Sequence, residues 1–67
     1  MTVNLNILAL KKIMAKQRMT NVQLAKLSGI SEQSISAIFR RGTCSVPSAG
    51  LIAAALQVDL EEIWKEE

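Results

Sequence analysis

Enzymatic chemistry needs nucleophiles, bases or metal ligands, and this sequence offers few of them. It has no histidine and no tyrosine, one cysteine (Cys44), and six scattered acidic residues. No nucleophile has a base to pair with, so no enzyme is expected. A lone thiol makes neither an internal disulfide nor a Cys/His metal site, so no metal and no cofactor is expected, and Cys44 reads as an unreactive thiol. The cationic side chains are the remaining chemistry. Up to residue 45, Lys11, Lys12, Lys16, Arg18, Lys26, Arg40 and Arg41 stand against one acid, Glu32, a net +6. From residue 46 onward, Lys65 stands against Asp59, Glu61, Glu62, Glu66 and Glu67, a net −4. The overall +2 thus hides an asymmetry in which the basic part can face a polyanion while the acidic end faces away. Two ordinary solvated faces would give the same count.

The elements that must position these charges fit one small domain spanning residues 1–67. Hydrophobic residues make up 49% and charged residues 21%, with one Phe and one Trp, the profile of an aliphatic, all-α domain. The apolar run Leu51 to Leu56 is too short to span a bilayer, and no basic-then-apolar leader opens the chain. A cytoplasmic protein without a membrane partner is expected. Met1 to Val3 reads as a flexible arm. Asn4 or Asn6 can cap a first helix over about 5–17, with Ile7, Leu10, Ile13 and Met14 on one face. Leu5 and Leu8 fit core, a dimer contact or plain exposure equally.

The stretch from Thr20 to Gly42 carries the clearest local signals. Thr20 and Gln23 fit a capping box that opens a helix over 21–28, and Ser31 can cap a second over 32–40. Gly29 supplies the positive φ required just past the first of them. Apolar positions fall at Leu24, Ala25, Leu27, Ile30, Ile35 and Ile38, with Ala25 small where two helices must cross. This is a helix-turn-helix pattern. Residues 41–45 read as a loop. Pro47 suits the first turn of a fourth helix over about 47–57, and Asp59 with Glu61 and Glu62 suits the start of a fifth over about 60–65.

Thr20, Leu24-Ala25, Gly29-Ile30-Ser31, Ile35-Ser36, Ile38 and Gly42, followed by Ile52-Ala53, Ala55-Leu56 and Val58-Asp59, resemble the Cro/CI-type (lambda repressor-like, XRE) DNA-binding domain. The resemblance covers about residues 7–64. It implies a compact five-helix fold in which the helix after Ser31 enters the DNA major groove and the helix before it crosses the phosphate backbone. By position, Glu32, Gln33, Ser36 and Ala37 are then the base readers. The Gln33 amide can pair with adenine N6 and N7. Glu32 can accept from cytosine N4, or simply favour a helix N-terminus as an acid. Ala37 offers apolar contact to a thymine methyl. Asn21, Ser31, Ser34, Arg40, Arg41 and Thr43 are the implied phosphate ligands. Asn21 replaces a Gln that is usual in the family.

Three departures stand out. Where the family commonly joins an Arg of the first helix to a Glu near the end of the third, this sequence has Met14 and Phe39, a matched apolar pair expected to touch in the core. Arg41 looks like an extra residue before Gly42. No cation precedes Arg40 on the reading helix, which suits a modest affinity or an A·T-rich target. Single domains of this kind usually bind a two-fold DNA operator as homodimers. Leu60, Ile63 and Trp64, together with the loop before the fourth helix, are the interface candidates, unless Trp64 only covers the core. Two functions fit: a phage- or mobile-element-type transcriptional repressor acting on its operator, or an antirepressor or antitoxin-like module that binds a second regulator protein through the same surface. Val3, Leu5 and Leu8 weigh toward the second.

Overall fold

A computed structural model of the chain describes residues 2–65; Met1 of the expected arm, and Glu66 and Glu67 of the acidic end, lie outside them. Its helices are α1 (Ile7–Gln17), α2 (Asn21–Ser28), α3 (Glu32–Arg41), α4 (Val46–Leu56) and α5 (Leu60–Ile63), joined by two short strands, β1 (Thr2–Asn4) and β2 (Thr43–Ser45). Side-chain caps set most of the starts. Asn6 Oδ1 accepts from the Ala9 N–H at 3.0 Å. The N–H of Gln23 donates to Thr20 Oγ1 at 3.2 Å and that of Thr20 to Gln23 Oε1 at 3.0 Å, which completes the capping box. Ser31 and Ser45 cap α3 and α4 by accepting from the N–H groups of Ser34 (3.2 Å) and Ser48 (3.3 Å). At α5 the Asp59 N–H donates to Glu62 Oε2 at 3.0 Å.

Gly29 and Gly42 end α2 and α3 at φ 76°, in the left-handed region that glycine enters without strain. Arg18 (φ 55°) and Gln57 (φ 59°) end α1 and α4 in the same region with side chains attached. The two strained ends are neighbours, since Gln17 Nε2 donates to the Leu56 carbonyl at 2.6 Å.

The strands correct the expected arm and loop. β1 pairs antiparallel with β2 in the register Thr2–Ser45, Val3–Cys44, Asn4–Thr43. The pairing continues past β1 on both sides, with Leu5 N–H donating to the Gly42 carbonyl and Asn6 N–H to the Ile63 carbonyl, both at 2.8 Å. Lys65 N–H donates to the Asn4 carbonyl at 3.0 Å, and Leu5 bridges to Trp64. This pairing draws the chain out of α5 after Ile63, so Trp64 is extended (φ −82°, ψ 129°) and the helix stops short of the expected residue 65. The Asn6 cap likewise starts α1 at Ile7 rather than at residue 5. Arg41 is the last residue of α3, not part of a loop.

Each helix sends at least one fully buried side chain into a common core: Leu10, Leu24, Ile35, Ile52 with Leu56, and Ile63. Val3, Leu5 and Cys44 close that core from the strands. Leu5 is 3% exposed and Leu8 65% exposed, which separates two residues that the sequence alone leaves equivalent.

Candidate nucleic-acid interface

Alternating burial along α3 creates the site. At about 100° per residue, Ile35 and Ile38 share one face, and both are buried. Gln33, Ser36 and Arg40 fall on the opposite face and are exposed, with Ala37 half-buried beside them, while Glu32, one turn before Ile35, is exposed at the start of the helix. Residues that anchor α3 and residues free to contact a ligand are therefore segregated. The turn holds the helix from below. Ser28, itself buried, donates from Oγ to the Leu24 carbonyl at 2.6 Å, and its Oγ accepts from the Ile30 N–H at 3.3 Å. The helix is about 15 Å long, a length that fits a major groove about 12 Å wide.

Two shallow grooves flank the exposed stripe. On one side Asn21 of α2 and Lys11 of α1 line a groove of about 460 Å³ with Met14, Ala15, Met19 and Phe39. Met14 is buried and Phe39 half-buried, so the two apolar replacements share one wall. On the other side Ser34, Ala37, Arg41 and Thr43 line a groove of about 290 Å³ together with Thr2, Ser45 and Ser48. Asn21 and the Arg41 set thus sit on opposite flanks of α3, where two phosphate backbones would run beside a helix in a groove. Thr2 and Ser48 had no signal in the sequence, because folding alone brings β1 and α4 beside α3.

The hydroxyl pairs at this second groove divide their work. Ser31 Oγ accepts from the Ser34 N–H and donates to Ser34 Oγ at 3.0 Å, so its bonding is spent on the cap. Ser34 Oγ accepts in that pair and keeps its own proton for an outside acceptor. Ser45 and Ser48 repeat the arrangement at α4, with an Oγ–Oγ distance of 2.8 Å. Lys11, Lys12, Lys16, Arg18, Lys26, Arg40 and Arg41 are all exposed. Cys44, the middle residue of β2, is buried, and desolvation raises its pKa above the ordinary thiol value.

Of the interface candidates, Leu60 and Trp64 are half-buried against the core, while Ile63 is fully buried and offers no surface to a second copy. Val3 and Leu5 are likewise core, which removes two of the three apolar residues that favoured a protein-binding module. Among the described residues no helix is long and apolar enough to cross a membrane, and no cluster of His, Cys, Asp or Glu could hold a metal ion. A family model described as "Helix-turn-helix" matches residues 10–63. Neither the curated proteins nor the solved structures gave a match.

Proposed function

This chain belongs to the Cro/CI-type (XRE) helix-turn-helix family of DNA-binding regulators, and on that premise we propose that it is a transcriptional repressor of phage or mobile-element type that occupies a two-fold operator. The observation that carries this reading is the segregation along α3, where Gln33, Ser36 and Arg40 are exposed opposite the buried Ile35 and Ile38, and Glu32 is exposed at the helix start. Gln33 reads adenine through a bidentate amide contact, while Glu32, Ser36 and Ala37 set the neighbouring base preferences. Asn21 holds one backbone, and Ser34, Arg41 and Thr43 hold the other, with Arg40 between them. Ser31 supports the set as a cap. With no cation among the four base readers, affinity rests mainly on the flanking phosphates, and the target is A·T-rich.

The test is a titration of the intergenic DNA beside the protein's own gene at low and moderate salt. A salt-sensitive, sequence-dependent complex that weakens by about 1–3 kcal/mol in Gln33→Ala supports the assignment. Binding that is absent, or that ignores the substitution, removes it. The same lack of a cation at the reading positions favours a second function, an antirepressor or antitoxin-like partner of another regulator. That function predicts capture of a regulator that persists at high salt, since few counterions would be released.

A further inference from the structure

Leu8 is the most exposed large apolar residue among those described, and neither the core nor the reading face uses it. It stands in the first turn of α1 at a groove of about 530 Å³ whose walls include Ile7, Arg41, Gly42 and Lys65. The fold fixes this groove from three directions. Ile7 packs on Gly42, where an added Cβ would lie 3.8 Å from Ile7 Cγ1. The Lys65 N–H donates to the Asn4 carbonyl at 3.0 Å, and the Leu5 N–H to the Gly42 carbonyl at 2.8 Å. Segments far apart in sequence thereby set an exposed leucine beside two exposed cations. Among the described residues no acid lines the groove. Lys65, counted with the acidic end by sequence, joins the basic part in space.

We propose that this groove docks an acidic segment of a partner protein, which places a carboxylate at Arg41 and Lys65 and an apolar side chain on Leu8 and Ile7. The chemistry of the walls selects this occupant. A small anion would use the cations and leave the leucine in water, and a wholly apolar ligand would leave the cations unpaired. A concave site also suits a narrow segment better than a flat bilayer. An extended peptide meets both demands, because side chains two positions apart share one face at a spacing of about 7 Å. Arg41 also lines the groove beside α3 that holds Ser34 and Thr43. A carboxylate on Arg41 therefore competes with a DNA phosphate for one guanidinium, and the docked partner lowers DNA affinity. That competition rests on the operator reading above; docking does not. A smaller groove of about 360 Å³ sets the exposed Leu27 beside Arg18 and Lys26. Neither of those cations lines a groove flanking α3, so this second groove is the internal control.

The probe is a blocked, fluorescently labelled six-residue peptide of four glutamates and two leucines, titrated with the whole chain at low salt and followed by anisotropy. Saturable binding with a Kd of about 0.1–1 mM is expected. Leu8→Ser and Lys65→Glu are expected to weaken it about fivefold or more. Leu27→Ser and Lys26→Glu are expected to leave it unchanged, with helical circular dichroism confirming that every variant is folded. Peptides with serine for leucine, or lysine for glutamate, are expected to bind about fivefold or more weakly. No binding, binding that tracks Leu27 and Lys26 instead, or binding indifferent to the leucines would each overturn the proposal. So would a preference for vesicles of anionic phospholipid, or self-association of the chain that Leu8→Ser abolishes. In the DNA titration, near-saturating peptide is expected to lower the affinity of the wild type about threefold or more, and not that of Lys65→Glu. DNA and peptide that bind together without mutual effect would overturn the competition. Failure of the DNA titration with intact peptide docking would instead remove the operator reading and leave the groove assigned.

Discussion

Leu5→Ala is the sharpest test of the N-terminal architecture. Leu5 is 3% exposed and joins the core cluster. Its N–H donates to the Gly42 carbonyl at 2.8 Å, and its backbone bridges to Trp64. Truncation removes three buried carbons and leaves a cavity that the strand pairing prevents from collapsing. The cost for such a site is about 2–5 kcal/mol. A domain of this size holds roughly 3–10 kcal/mol in total, so the variant sits near its folding limit. At about 4–8 °C per kcal/mol, the midpoint falls by at least about 8 °C. Leu8→Ala, at a residue 65% exposed, costs under about 0.5 kcal/mol. Urea and thermal melts followed by circular dichroism compare the two. Equal melting of both variants within error, or a loss under about 1 kcal/mol for Leu5→Ala, would refute the argument that residues 2–6 are part of the core structure.

Three other outcomes follow from local geometry. Gly29→Ala forces a Cβ into φ 76°, although nothing lies within 4 Å of that atom; the loss of about 1–2 kcal/mol is conformational, and Gly29→Asn should recover part of it in the same melts. Arg41→Ala lowers DNA affinity uniformly across sequences and reduces the slope of log affinity against log salt by about 1, read from titrations at several salt concentrations. Cys44 is buried and its pKa is raised by desolvation. A raised folded pKa means that the native state holds the thiol proton more tightly. The contribution is therefore complete below the unfolded thiol value, near about 8.5, and is lost as pH rises toward the folded value. Stability should fall across that alkaline window, Cys44→Ala should flatten the fall, and the native thiol should react with alkylating reagents only on unfolding.

The helix-turn-helix was legible because its punctuation is chemical and local. Thr20 with Gln23, Gly29 and Ser31 each act within four residues, and α2 begins and ends where they place it. The same locality explains what was not legible. A three-residue strand shows no period, and the partner of β1 lies about 40 residues away, so Thr2–Asn4 and Thr43–Ser45 read as arm and loop. The choice between Asn4 and Asn6 as cap also decided whether Leu5 was helical, and only the Asn6–Ala9 bond settles it. At the site, the exposed face of α3 followed from the spacing of Ile35 and Ile38. The approach of Ser48 and Thr2 did not, because they come from elements that only the tertiary fold joins.

The pairing of residues 4–6 with Ile63 and Lys65 has a consequence for how the protein is made. Residues 4–6 wait for residues 63–65, roughly 60 positions further along the chain. During synthesis α1 to α4 can begin to pack, yet Leu5 has no complete site until Ile63 and Trp64 have left the ribosome. Closing so long a loop comes late, since its entropy must be spent before the contacts repay it. A truncated product lacking its final segment would leave Val3 and Leu5 without part of their cover and α1 without its brace. Competence to present α3 is thus withheld from chains that stop short of Trp64.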